Sequence, residues 1–580
     1  MVSKTDTDNY PSTSPQETIL QQPLVEFSEA PARSSSSAIK LLGAFPPAIK
    51  FIFWNECCER FSFYGLKAIL ALFLSERLGL SQVRSTEMFH LFTMTCYATP
   101  ILGALISDTL LGKYRTILSL SLLYAVGNCV MSMAAIPDPD PVTKKASSYS
   151  MWSTATGLLF IAFGTGGIKP CVAAFGGDQI EFSMPDGDTK EKLRVTFFSV
   201  FYFAINVGAF LSMLLTPLLR ANVSYAAAFG MPSVLMVLAT FIFWVGRKDY
   251  VDRRAVGSVF STVVKVLVNA VRLRKSDSVY KNYEEIDCGG GSIRASHWLD
   301  AAKSGCGAEE VEDVKALFKM CLFLIPGSMF SCMYGQKAST WVFQATQMNG
   351  HVSWLGNVVI RPDQMQAIDP LLVLIFIPLF DQVLYPFLEK HGVAMTAIRR
   401  MILGMLLCSV AFFTSGLLQL AIDKRTTPGS ITSYINIFSG SEPDNWDRMN
   451  LAYPTENSEQ ISILWQIPQY AILTAAEVLF SVTGLEFAYS QAPVSMKSVV
   501  QAIWCFTSAG GDLITIIIVE IIGNKLSIGK RSSLFAGGGI IATVFMLWLS
   551  SCFKEADNPS DEEVMGTGNS EVESTVMVSG

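Results

Sequence analysis

Four charged side chains lie inside the first apolar segment of this chain, and no other feature limits the fold as much. Residues 46–74 are long and apolar enough to cross a bilayer, yet beyond Lys50 near their start they contain Glu56, Glu59, Arg60 and Lys67. On a helix Glu56, Glu59 and Arg60 sit at i, i+3 and i+4, and Tyr64 and Lys67 continue the stripe. Each charge at a bilayer centre costs ~2.5–3.5 kcal/mol on insertion scales, so four facing lipid would cost on the order of 10 kcal/mol. They must face one another and a wet interior instead. Two acids and two bases within a membrane segment read as a substrate or proton pathway.

The rest of the chain agrees with a membrane setting. Half of the 580 residues are hydrophobic and 16% are charged, against about a quarter charged in a soluble domain. Segments of the ~20 residues that a span needs recur at 46–74, 86–110, 116–136, 151–175, 196–219, 225–246, 315–335, 364–388, 401–422, 461–490, 499–523 and 533–553. The widest break, 247–314, divides them six and six. Two six-helix halves around a central site make a major facilitator fold, an all-α membrane protein of twelve spans. The expected organisation is an N-terminal tail at 1–45, bundles at 46–246 and 315–553 joined by the linker 247–314, and an acidic tail at 554–580. Arg247, Lys248, Arg253, Arg254, Lys265, Arg272, Arg274, Lys275 and Lys281 put the linker, and so both termini, in the cytoplasm.

Between spans two and three, Gly103 and then Asp108, Gly112, Lys113 and Arg115 match a facilitator loop in which an acid and bases latch the inward gate. Residues 256–274 are amphipathic, with Val256, Val259, Phe260, Val263, Leu267 and Val271 on one side. They suit either an interfacial helix or a brace on the bundle. The outer loop 423–458 is too short for a sizeable domain, and Asn222 heads a glycosylation sequon in another outer loop. Net charge of −6 opposes a nucleic-acid binder. Most cysteines sit in apolar spans, which opposes a disulfide framework. Cys288, His297 and Cys306 match no zinc spacing, so neither metal nor cofactor is expected.

Residues 164–179 read GTGGIKPCVAAFGGDQ and 197–208 read FFSVFYFAINVG. With NECCERFSFYG at 55–65, HWLD at 297–300, PDQMQ at 362–366, DQVLYP at 381–386 and TGLEFAYSQAP at 483–493, the chain resembles the proton-coupled oligopeptide transporters, and within them the animal branch. The resemblance runs from about residue 46 to 553. It implies a symporter that moves di- and tripeptides with protons by alternating access. It places the peptide carboxylate at Arg60, Lys67 and Lys169, and the amine near Asn206, Asp369 and Glu477. Proton coupling would fall to Glu56, Glu59, Arg60, Lys169 and His90, with Tyr64, Tyr97, Tyr202, Phe330, Ser331, Tyr334 and Trp504 lining the space between.

The residues themselves support that division. A small peptide carries an ammonium and a carboxylate, so a general site must hold opposite charges while aromatic rings accept varied side chains. Glu477 and Glu486 are nine residues apart, about 900° of ideal helix, so one of them faces away from the cavity; the family resemblance implies that Glu477 is the inward one. The charged stripe also suits a structural ion-pair network, and the rings also suit ordinary packing. Span seven departs from the pattern. Similar animal sequences have Trp and then Phe-Asp-Gln-Gln where this chain has Ser331 and Tyr334-Gly335-Gln336-Lys337. The missing acid leaves Lys319 without its expected outer-gate partner, and Asp369 stands where Asn is common.

No nucleophile–base pair or metal motif marks an enzyme. Peptides, protons and membrane lipid are the expected partners, and a monomer in the plasma membrane the expected form, with an endolysosomal membrane as the other setting. The same fold carrying nitrate or another small anion, and a peptide-sensing transceptor, are the alternatives.

Overall fold

The computed structural model describes residues 45–137, 147–185, 187–252, 259–274, 298–352, 356, 358–393, 395–426, 461–490, 497–523 and 525–552. Both expected tails apart from Phe45, most of the loop 423–458, Val256, Cys288 and His297 lie outside the described residues. Twelve helices form the body: α1 (Pro47–Glu76), α2 (Gln82–Leu111), α3 (Lys113–Ala134), α4 (Ser148–Ser183), α5 (Asp188–Asn222), α6 (Tyr225–Val245), α7 (Ala308–Gly335), α8 (Pro362–Lys390), α9 (Ala397–Thr426), α10 (Ile463–Leu485), α11 (Lys497–Ile522) and α12 (Ile528–Cys552). Ten described helices are long and apolar enough to cross a bilayer, and an eleventh is the pair Ala308–Lys319 and Leu324–Ala345, bent by 44°. The twelfth is α1, whose 30 residues rise ~45 Å, more than the ~30 Å hydrocarbon core. Most helices run past the apolar segment that marks them in the sequence.

Two apolar cores follow the two halves. One gathers residues of α1 to α6 and is joined by Ala338, Val342 and Phe343 from the segment after α7. The other is built from α7 to α12. Large apolar side chains such as Trp152, Phe241, Phe387, Ile541 and Trp548 point outward. On a soluble protein these would be a liability; here they form the lipid-facing belt.

Inside the first half α1 packs chiefly on α5 and α6, and α3 on α4 and α6. Small residues permit the closest approaches. A Cβ at Gly103 would lie 2.3 Å from the Gly167 carbonyl oxygen, and one at Gly166 would lie 1.8 Å from Thr99 Oγ1. The GTGGIKP run therefore lets α2 and α4 touch at the backbone. Pro170 sits inside α4, which continues as one helix of 36 residues. Among the described residues three π-helical turns interrupt the regular pitch: Ser107–Leu111 in α2, Phe380–Leu384 in α8 and Val478–Val482 in α10.

The linker helix spans Val259–Arg274. Val263, Val266 and Ala270 bury against Leu299, Ala302, Val311, Val314, Val499 and Val500. It braces the second half at the end of the molecule where the linker lies. Asp300 and Glu312 bind Lys303 at 3.0 and 2.6 Å, and their hydrogen bonds, Glu312 first, hold its ammonium above the ordinary lysine range. Lys113 binds Asp178 of α4 at 2.6 Å, so this base of the loop after α2 is held by α4 rather than by Asp108.

Gly103→Val should cost about 1–3 kcal/mol by overpacking the α2–α4 contact, read as a lower melting temperature of the purified protein, whereas Gly537→Ala, which meets open space, should leave it unchanged.

Candidate functional site

The first half contributes a charged wall from α1. The Arg60 Nε lies 2.7 Å from both Glu56 Oε1 and Glu59 Oε2. Nε carries one proton and donates it to Glu56. Glu59 Oε2 is thus close in charge but without a hydrogen bond, as is Glu56 Oε2. Thr165 of α4 donates to Glu59 Oε1 at 2.8 Å. All three charged residues are buried. One turn on, Lys169 Nζ sits over the rings of Phe63 and Tyr97 at 4.4 and 4.1 Å. Lys67 Nζ lies 5.9 Å from the Phe89 ring centre. Among the described residues neither lysine forms an ion pair.

The second half answers with acids. Lys337, in the turn after α7, pairs with Asp369 of α8 and lies over the Tyr334 ring. Thr474 donates to the other Asp369 oxygen at 2.9 Å. The Tyr334 hydroxyl donates to Glu477 Oε1 at 2.5 Å and is 3.3 Å from Asp369 Oδ2. Glu477 Oε2 stays buried without a hydrogen-bond partner. Tyr334, Phe330, Phe480 and Trp504 stack in sequence with ring centres 6.0, 4.3 and 6.4 Å apart.

A cavity of about 90 Å³ lies between the walls, lined by Lys67, Tyr97, Phe330, Ser331, Tyr334, Trp504 and Asp512 among others. Away from the linker the two halves are tied together above it. Arg220 of α5 grips Asp363 at the start of α8 through Nε at 2.7 Å and Nη2 at 3.0 Å. Asp363 is fully buried, and Glu76 of α1 lies 3.6 Å from Arg220 Nη1 while accepting from Tyr225 at 2.6 Å. Gln366 and Gln364 donate to the carbonyls of Ala68 and Leu214 at 3.1 and 3.3 Å. His90 Nδ1 meets Asp512 of α11 at 2.6 Å and its Nε2 meets Ser339 at 3.0 Å. At the surface Arg84 bridges Glu87 and Glu520 at 2.7 and 2.8 Å.

Residues 114–534 match the family model described as "POT family". The chain belongs to the POT family. It is 32% identical to solute carrier family 15 member 2 of Oryctolagus cuniculus, over 86% of this chain and 89% of that one. It is 31% identical to peptide transporter family 1 of Drosophila melanogaster, over 90% and 89%. Among solved structures it is similar to an auto-inhibited POT family peptide transporter, with TM-score 0.70, 30% identity and coverage of 89% of this chain and 98% of that one. It is also similar to the POT family transporter PepTSo, with TM-score 0.68, 31% identity and coverage of 88% and 98%.

Against this POT frame the residues singled out in the sequence fall into groups. Lys67, Tyr97, Phe330, Ser331, Tyr334 and Trp504 line one cavity. Tyr64 packs beside Ala68, Met213 and Ala367 where the halves meet. Asn206 is buried and donates to the Tyr202 carbonyl one turn back at 2.9 Å, so its amide is engaged within α5. Lys169 sits on rings rather than on Glu56 or Glu59. Asp369 is no bare acid, because Lys337 matches its charge. Lys319 lies toward the linker end of α7, and the opposite end closes through Arg220–Asp363 and His90–Asp512 without it. The π turn at Val478–Val482 changes the phase between Glu477 and residue 486 by about 100°, which removes the basis for opposing them; the Glu486 side chain is outside the described set. Asn222 ends α5 exposed, and Ser224 of its sequon caps α6 by accepting from Ala227 at 3.1 Å.

The sequence reading missed Arg220, Lys337, Phe480 and Asp512 as site residues, and Asp363 was visible only as part of PDQMQ. Asp512 did carry a signal: no other charge lies between Lys497 and Glu520. Arg220→Ala should cost about 3–5 kcal/mol, because it leaves a buried carboxylate unpaired. Arg220→Ala with Asp363→Ala should melt closer to the unaltered protein than Arg220→Ala alone.

Proposed function

We propose that this protein carries di- and tripeptides with protons across a membrane, its two halves exposing the cavity to each side in turn. The observation that carries this reading is the pairing of walls. Lys67 lines one aromatic-walled cavity whose Tyr97 carries Lys169 behind it, and on the other wall Tyr334 carries Glu477, an acid with a free buried oxygen; among the described residues neither lysine forms an ion pair. That is what a zwitterion needs and what a simple anion does not. An anion would use Lys67 and Lys169 and leave Glu477 idle. The names of the relatives, which are peptide transporters, support the same substrate class.

Within that reading the peptide carboxylate meets Lys67 and Lys169, with Arg60 behind them. The amine meets Glu477 Oε2, since Asp369 is already held by Lys337 and Thr474. Glu56 and Glu59 share one guanidinium, so with both ionised the triad holds a buried net negative charge. A proton on either acid neutralises it. A peptide carboxylate drawing on the nearby bases weakens their support for the acids and favours that proton. Proton and peptide then load together, and Arg220–Asp363 and His90–Asp512 close the outer end over them. We place the linker and termini in the cytoplasm on the basic residues of the linker, and the protein in the plasma membrane as a monomer. One net positive charge moving inward gains ~2.3 kcal/mol per 100 mV, roughly forty-fold accumulation at 1.4 kcal/mol per tenfold.

A dipeptide should evoke inward current that grows as the outside pH falls, since protons are a co-substrate; pH-independent, electroneutral uptake overturns the reading. Glu56→Gln and Glu59→Gln should flatten this pH dependence while peptide exchange persists. Glu477→Gln removes a charge-assisted bond of ~1.5–3 kcal/mol, so the dipeptide KM should rise roughly 10- to 100-fold. The pair Asp369→Asn with Lys337→Gln, which leaves the net charge unchanged, should shift KM far less, measured by competition of labelled dipeptide uptake.

A further inference from the structure

We propose that Asp512 on α11 is the acid through which His90 takes part in proton coupling, filling a place that α7 leaves empty at Gly335. The inference rests on the transport reading above and assigns one residue within it.

Three observations meet at this point. His90 is fully buried, and both of its ring nitrogens are engaged, Nδ1 with Asp512 at 2.6 Å and Nε2 with Ser339 at 3.0 Å. A Cβ built on Gly335 would lie 3.1 Å from His90 Cε1 and 3.5 Å from Asp512 Oδ1. The carboxylate from α11 therefore reaches into the volume that a side chain from α7 would enter. Finally, the pair joins α2 to α11, the most extensive contact between the two halves among the described residues. Opening that end must break it.

The surrounding charges give the pair a consequence beyond closure. Lys67 of α1, Tyr97 of α2, Tyr334 of α7 and Asp512 line the same cavity, and Asp512 is the one acid among its lining residues. Lys337 stands in the turn after α7, held by Asp369, and Lys169 of α4 covers Tyr97. With a proton on His90, ring and carboxylate form a neutral unit and Lys67 is left to the substrate. Without that proton, the Asp512 charge remains on the cavity wall with Lys67 across from it. The protonation of His90 and the availability of Lys67 are thereby linked through one acid.

The test uses the full chain in proteoliposomes, with gradient-driven dipeptide uptake measured across outside pH and peptide counterflow measured at equal pH on both sides. Asp512→Asn should lose uptake by about tenfold or more, within the usual range of a coupling free energy. It should flatten the pH profile and retain counterflow. Placing the acid on α7 instead, with Gly335→Asp in an Asp512→Ala background, should restore a pH-dependent uptake well above that of Asp512→Ala alone. An unaltered pH profile in Asp512→Asn overturns the proposal. So does a double variant that performs counterflow but gains no pH-dependent uptake. Should either variant fail to reconstitute, the other decides alone by the same readout. Unaltered protein that moves no dipeptide at any pH overturns the transport reading instead, and that outcome appears in the wild-type arm.

Discussion

A single guanidinium held between two carboxylates sets the terms for the rest of the molecule. Arg60, Glu56 and Glu59 are buried where the effective dielectric is low and every uncompensated charge is costly. That forces α1 away from lipid and against α5 and α6, and it requires α4 to supply Thr165 to Glu59. The compensation is incomplete by construction. Two acids share one base, and the single Nε proton satisfies only one of them. A triad satisfied in full would be a brace. One left a proton short has two states of similar standing.

The ties between the halves differ in kind, and magnitude separates them. Arg84–Glu520 is more than half exposed on both partners, and such pairs contribute ~0–1 kcal/mol. Arg220–Asp363 is bidentate and buried, so its rupture in place would be expensive. A helix pair that must separate and rejoin can use such a bond only if water replaces each partner as the end opens. The position of the bond at the tips of α5 and α8, rather than deeper in the bundle, meets that condition. Gln364 and Gln366, donating to backbone carbonyls, hold the same seam with neutral contacts that are easily exchanged for water.

What the sequence made legible follows from this physics. Charges in an apolar segment are conspicuous, so Glu56, Glu59, Arg60, Lys67 and Lys169 stood out, as did the span pattern and the break between halves. Pairings across the bundle were not legible, because nothing local to Asp512 names His90, 422 residues away. Helix phase also failed at a definite place: a π turn in α10 adds a residue where ideal geometry allows none, and the inference about Glu477 and Glu486 depended on ideal geometry. The linker helix had two readings from its amphipathic pattern. The contacts of Val263, Val266 and Ala270 with α7 and α11 make it a brace, while Val264, Val268 and Val271 keep a second apolar stripe exposed.

The departures in span seven look like losses when read along the chain and like exchanges when read across it. Gly335 brings no side chain to His90, and Asp512 of α11 places a carboxylate there. Asp369 brings a charge and Lys337 brings its opposite to the same spot, so the two sum to zero, while Glu477 beside them has no ion-pair partner among the described residues. Neither exchange is visible from either residue alone. Both follow from the same rule that shaped α1: inside a membrane the sum of neighbouring charges is constrained far more tightly than the helix from which each one comes.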